Sequence, residues 1–128
     1  MSGNKRERMA SVDTAWLRMD RPSNLMMICG VLIFRERVAF ARLKATLTDR
    51  FLRFERFGQR PVQTPGGACW QADDRFDIAH HLQRVALPGR AGKAELETFV
   101  STLIGTPLDL GRPLWQFHLI ERFEGGSA

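Results

Sequence analysis

The sequence has no apolar run long enough to cross a bilayer as a helix. The longest, Leu25 to Phe34, is about half of the roughly 20 residues such a span requires. No apolar leader follows the first methionine. Cysteine is scarce as well. Cys29 lies inside the apolar run and Cys69 beside Trp70, and neither has a CxxC partner. That leaves no basis for a disulfide framework or a thiolate metal site, and it fits two reduced thiols in a cytoplasmic protein. Lysine is confined to Lys5, Lys44 and Lys93, so the net charge of +5 rests mostly on arginine. Net charge informs association rather than fold, and two readings stand: a solvated Arg-rich surface, or a face that seeks anions or membranes. GxSxG is absent, which removes the support for covalent hydrolase chemistry. There is no internal repeat, no low-complexity segment and no phosphate loop, because Gly66-Gly67 and Gly125-Gly126 lack the lysine and helix-opening context and read as turns.

What is present is enough for one folded domain. The chain has 128 residues, 44% hydrophobic and 26% charged, with nine phenylalanines, and can bury a core. Residues 1–10 are expected to be a disordered basic tail, and residues 11–128 a single structured unit. Ser11 or Asp13 is placed to cap a short helix on which Val12, Trp16 and Met19 recur, ending before Arg21-Pro22. Leu25 to Phe34 is too continuous for one-sided alternation and reads as a strand buried on both faces, with Gly30 marking a bulge or a close approach. From Val38 to Phe57, the spacing of Phe40, Leu43, Leu47, Phe51 and Phe54 predicts an amphipathic helix capped near Gly58.

Gln59 to Gly67 reads as a turn-rich link around Pro61 and Pro65, followed by a short strand over Ala68 to Gln71. Phe76 to Leu87 has no clear period and is expected to be extended or irregular. Leu96, Phe99, Val100, Leu103 and Ile104 predict a second amphipathic helix from Lys93 to Gly105. Leu114 to Phe123 reads as a strand with Trp115, Phe117 and Leu119 on one face and Leu114, Gln116, His118 and Ile120 on the other. The closing Glu124 to Ala128 is expected to be a turn that leads nowhere. The fold class is therefore α/β, a mixed sheet with flanking helices, and an exposed apolar surface is expected where further strands should pack.

Several groups of residues invite chemistry. His80 and His81 are adjacent, whereas a two-histidine metal site on a helix calls for i, i+4 spacing and a third ligand; a structural or surface role is favoured. Asp73, Asp74 and Asp77 lack the glycine and distal glutamate of a calcium loop and read as a solvated turn. No metal site is expected. Arg50, Arg53, Arg56 and Arg60 raise nucleic-acid binding, but Asp49 and Glu55 interrupt them and Phe51, Phe54 and Phe57 fit a buried stripe better than a stacking platform, so no nucleic-acid partner is expected. Pro107 to Trp115 is different in kind. Two prolines, a glycine and the Asp109/Arg112 pair in nine residues specify a stiff joint between helix and strand that presents side chains in fixed directions. On the residues alone, it is either a plain joint with a local Asp109–Arg112 ion pair or the border of a site.

At this segment the chain resembles the bacterial wax ester synthase/diacylglycerol acyltransferase family. The pieces are SVDTAWLRMDRPSNLMMICGVLIF from Ser11 to Phe34, RFGQRPV from Arg56 to Val62, Trp70, FDIAHHLQRVALPG from Phe76 to Gly89 and PLDLGRPLWQFHLIE from Pro107 to Glu121, with the PLW motif intact as Pro113, Leu114 and Trp115. The resemblance implies the amino-terminal portion of a two-domain acyltransferase with a chloramphenicol-acetyltransferase-like fold. It also implies a histidine of an HHxxxDG motif acting as general base, so that an acceptor hydroxyl attacks an acyl-CoA thioester. The acceptor would be a long-chain alcohol or a diacylglycerol, giving a wax ester or triacylglycerol, and no cofactor is implied beyond acyl-CoA as substrate. The resemblance places HHxxxDG shortly beyond Ala128, so the catalytic residues are expected to be absent, with His80 and His81 not the catalytic pair and these residues inactive alone. Arg112, with Asp109 as its local rival partner, is the residue that would brace the motif's aspartate, and Pro113, Leu114 and Trp115 would pack against the catalytic segment or the acyl channel. The remaining carboxy-terminal half would be a partner, and the resemblance allows peripheral contact with the inner membrane face or lipid inclusions. The rival reading is a non-catalytic lipid- or protein-binding half-domain.

Overall fold

The computed structural model describes residues 5–128, and the first part of the expected tail, residues 1–4, lies outside them. Arg6–Arg8, within the stretch expected to fray, instead forms strand β1. It pairs antiparallel with β3 (Gly67–Ala72), which pairs on its other side with β2 (Gln59–Thr64), giving the order β1-β3-β2. The turn-rich link expected at Gln59 to Gly67 is thus mostly strand, with only Pro65 and Gly66 left as the turn between partners Thr64 and Gly67. Pro61 is tolerated because β2 is an edge strand, where the missing N–H breaks no second ladder.

A second, parallel pair joins β4 (Leu82–Val85) to β5 (Phe117–Ile120). The crossover between them carries helix α3 (Lys93–Ile104), one residue shorter than its periodicity predicted. The Glu95 carboxylate accepts the N–H groups of Gly92 and Arg90, satisfying free amides at the helix start. Leu96 of α3 packs with Ile120 and Phe123, flanked by Val85, Leu87, Phe99 and Val100, and this is the core. Within the expected strand Leu114 to Phe123, only Phe117–Ile120 forms a ladder, because β4 offers four residues to pair with.

Other expectations need correction. Helix α1 (Ser11–Met19) forms, but Ala10 occupies the cap position and no side chain caps it: Ser11 already lies inside the first turn. The long helix expected from Val38 to Phe57 breaks into α2 (Phe40–Thr46), a π-turn over Leu47–Phe51 closed by Leu52 N–H to Leu47 O at 2.9 Å, and a 3₁₀ turn over Glu55–Gly58. Gly58 therefore leads into β2 rather than capping a helix. Of the expected buried stripe, Leu47 is buried and Phe54 is exposed.

The largest departure is Leu25 to Phe34. Its composition suits a buried strand, yet no ladder partner reaches it among the described residues, and Ile28, Leu32 and Ile33 are exposed, Ile28 at 97%. Among the described residues its one bridge is Phe34 to Ser127. The closing turn does lead somewhere. Glu124 and Gly125 both have positive φ (47° and 83°), the conformation of a two-residue hairpin turn, and Phe123 and Gly126 exchange backbone hydrogen bonds across it at 2.9 and 2.8 Å. A Cβ on Gly126 would collide with the Phe34 carbonyl, so this approach requires glycine. Ser127 is fully buried; its hydroxyl accepts the Val38 N–H at 2.8 Å and donates to Glu121 O at 2.9 Å.

Candidate functional site

Past the end of α3, the joint from Pro107 to Trp115 is held by its own short-range bonds. The Asp109 carboxylate accepts the Gly111 N–H at 2.8 Å, Asp109 O accepts the Arg112 N–H at 3.2 Å, and Pro113 O accepts the Trp115 N–H at 3.0 Å. Arg112 Nε lies 3.7 Å from Asp109 Oδ2, with both side chains largely exposed, so this pair contributes little to stability. Pro113 is buried, and Leu114 and Trp115 are half-buried.

Trp115 is anchored at both polar ends. Its indole N–H donates to Phe57 O at 2.7 Å, and its carbonyl lies 2.8 Å from His81 Nδ1. A carbonyl only accepts, so Nδ1–H is the donor in this bond. His81 is 2% exposed and stacks between Trp115 (centroids 4.5 Å apart) and Phe76 (5.1 Å). Its Nε2 is buried with no hydrogen-bond partner among the described residues. His80, by contrast, is exposed at the end of a 3₁₀ turn. The two histidines therefore occupy different environments. Asp73 and Asp77 each accept a backbone N–H two residues on, from Arg75 and Ala79. Among the described residues, no three His, Cys, Asp or Glu side chains gather as a metal site, and no helix is long and apolar enough to cross a membrane.

Beside the joint lies an open apolar groove of about 920 Å³. Residues 25 to 32 and residues 114 to 120 line it, together with Phe99, Val100 and Leu103 of α3 and Trp16 and Leu17 of α1. Sequence reasoning expected an exposed apolar surface where further strands should pack, but read Leu25 to Phe34 as a strand buried on both faces and so did not place that segment at the groove. Among its few polar lining groups is His118, which packs edge-on against Phe99 at 5.6 Å. Burial lowers the His118 imidazole below its ordinary value of 6.5, and its Nδ1 is buried without a hydrogen-bond partner among the described residues. The sequence held one signal for it, an imidazole set in an apolar strand; the neighbours that desolvate it are distant in sequence. Among the residues singled out from the sequence, the fold brings Leu114 and Trp115 to the groove, while Asp109, Arg112 and Pro113 are not among its lining residues.

Comparison with known proteins fits this arrangement. The sequence profile of the wax ester synthase/diacylglycerol acyltransferase catalytic domain matches residues 9–128. A Mycobacterium tuberculosis protein carrying the name diacylglycerol O-acyltransferase is 32% identical over 123 residues, covering 90% of this chain and 24% of its own length. A second relative of that name and organism is 28% identical, covering 91% of this chain and 45% of its own. The chain thus spans between about a quarter and a half of these relatives. Among solved structures, the wax ester synthase/diacylglycerol acyltransferase from Marinobacter aquaeolei VT8 superposes with a TM-score of 0.63 at 23% identity, over 93% of this chain and 29% of that one, and it shares the fold. With the profile matched from Met9 to Ala128, the chain belongs to the wax ester synthase/diacylglycerol acyltransferase family.

Proposed function

We propose that the chain is one part of an acyltransferase that transfers a fatty acyl group from coenzyme A to the hydroxyl of a diacylglycerol or a long-chain alcohol, and that these 128 residues alone do not turn over. The observation that carries this reading is the family match from residue 9 to residue 128 in a sequence that contains no HHxxxDG. In such a transfer a general base takes the hydroxyl proton, the oxygen attacks the thioester carbonyl, and the C–S bond breaks to release the CoA thiol, which takes up a proton. Neither histidine of the adjacent pair suits the role of that base: His81 is enclosed by aromatic rings and His80 is exposed and not among the groove's lining residues, while His118, which does line the groove, stands alone in sequence rather than in an HHxxxDG. The chain's contribution in this reading is positional. Arg112, whose contact with Asp109 is long and solvent-exposed, is available to hold the motif's aspartate through two parallel hydrogen bonds. Leu114 and Trp115 set the wall against which the reacting segment lies. The exposed Val12, Trp16 and Met19 of α1 suit contact with the lipid surface from which such acceptors come.

The test is direct. Purified chain is incubated with palmitoyl-CoA and either hexadecanol or diolein while free thiol is followed; no CoA release above background is expected. Sustained turnover by these residues would overturn the claim of inactivity.

A further inference from the structure

His81 sits where a turn becomes a strand. Its backbone, at φ −117° and ψ −11°, still belongs to the 3₁₀ turn, and its N–H is committed there to Ile78 O at 2.9 Å. Its carbonyl already belongs to the ladder, accepting the Phe117 N–H at 2.7 Å. The parallel register of Leu82 opposite Phe117 places position 81 opposite Gln116. In a parallel ladder such a residue bonds to the two residues flanking its opposite, so the N–H of residue 81 would go to Trp115 O. That N–H is already in use. The imidazole takes its place: Nδ1–H donates to Trp115 O at 2.8 Å, and the side chain thereby adds the rung that the backbone cannot.

No backbone N–H among the described residues reaches the Trp115 carbonyl, so the rung depends on this side chain. The ring also stacks between Phe76 and Trp115. Stacking alone would be served at least as well by phenylalanine, because an imidazole 2% exposed carries a desolvation cost that a phenyl ring does not. What histidine adds is the donor. Its effect falls on a residue that lines the groove, and whose indole N–H is fixed separately to Phe57 O at 2.7 Å. With both bonds made, Trp115 can turn neither its carbonyl nor its ring without breaking one of them.

We propose that His81 is a positioning residue for acyl transfer: its Nδ1–H locks the Trp115 backbone and so fixes the wall that Leu114 and Trp115 present to the reacting groups. The link to turnover rests on the proposed function; the rung itself does not. His81 touches neither substrate nor base in this role, so its loss falls on turnover rather than on substrate capture. A displacement of about 1 Å at a reacting site can cost on the order of a hundredfold in rate.

Two substitutions separate the donor from the ring. His81→Phe keeps a flat ring against Trp115 and removes the donor, whereas His81→Asn carries an amide N–H on the same carbon that bears Nδ1 and loses the ring. By NMR, the unmodified chain should show a slowly exchanging His81 Nδ1 proton, a reading that stands even where a variant folds poorly. Exchange of the Trp115 amide and indole N–H should speed at least about tenfold in His81→Phe and stay within about threefold of wild type in His81→Asn. In a complete enzyme carrying this chain and a downstream HHxxxDG, with palmitoyl-CoA and diolein, His81→Phe should lower kcat at least about tenfold and leave KM within about twofold. These values are taken at a folded fraction matched by near-ultraviolet circular dichroism, and His81→Asn should recover most of the lost kcat. Equal kcat in wild type and His81→Phe overturns the proposal, as does a loss in His81→Asn without one in His81→Phe, which would make the ring and not the donor the active feature. An unprotected Nδ1 proton overturns it as well. A complete wild-type enzyme that releases no CoA with any acceptor overturns the acyltransferase reading, an outcome distinct from a wild type that turns over and a His81→Phe variant that matches it.

Discussion

Ser127→Ala tests the closure of the fold at a single oxygen. The Ser127 hydroxyl is fully buried and serves two backbone groups at once, accepting the Val38 N–H at 2.8 Å and donating to Glu121 O at 2.9 Å. Removing it leaves both without a partner, and an unsatisfied buried group costs about 1–3 kcal/mol. Val38 and Glu121 are themselves only half-buried, so water can recover part of that loss. The lower half of the range, about 1–2 kcal/mol, applies to each, for a total of about 2–4 kcal/mol. In urea unfolding, where the slope is about 1–3 kcal/mol per molar, the midpoint should fall by about 1–2 M at unchanged slope. Exchange of the Phe34 and Val38 amides should accelerate more than that of α3. A loss below about 0.5 kcal/mol, the level of an ordinary surface change, would refute the reasoning and mean that Phe34 and Val38 are held by something other than this hydroxyl.

Three further outcomes follow from the same structure. His118 has a folded value lowered by burial, so the unfolded chain binds its proton more readily; stability should be full above pH 6.5 and fall as pH drops from there through the folded value. Urea midpoints from pH 7.5 to pH 5 should decline more steeply in the wild type than in His118→Gln, and identical slopes would count against the burial argument. Trp115→Phe keeps a ring against His81 but deprives Phe57 O of its donor, and should cost about 2 kcal/mol in chemical denaturation, with a loss under about 0.5 kcal/mol contradicting the two-ended anchor. In a complete enzyme carrying this chain and a downstream HHxxxDG, Arg112→Lys should lower kcat/KM at least about tenfold, roughly 1.4 kcal/mol, without loss of folded protein; equal activity would leave Asp109 as the partner of Arg112.

What the sequence disclosed depended on how far each signal had to reach. Helix α3 was legible because Leu96, Phe99, Val100 and Leu103 repeat within one segment, and β3 because it is short and bounded by glycine. β2 was obscured by Pro61 and Pro65, whose meaning changes once the strand is known to lie at an edge. Leu25 to Phe34 shows the limit most plainly: its residues suit a strand, but a strand is a relation between two segments, and its own composition cannot report whether a partner is in place. The stiffness of the joint at Pro107 to Trp115 could be read from its prolines, and the family from the order of the motifs around it. Its anchors could not, because Phe57 contributes a backbone carbonyl that any residue would supply, and His81 gives no local hint that it stacks on a tryptophan 34 positions away.

The bond between Val38 and Ser127 spans 89 residues, and this has a consequence in time rather than in space. At translation rates of about 5–20 residues per second, the apolar stretch ahead of Val38 leaves the ribosome on the order of five to twenty seconds before the residues that first hold it exist. During that interval a ten-residue hydrophobic segment has no native neighbour to pair with, and contacts so distant in sequence form slowly even once both ends are made. The order of synthesis thus makes Leu25 to Phe34 the segment most exposed to chance pairing with other nascent chains, and the yield of soluble protein should respond more to chaperone supply and expression temperature than to substitutions in α3.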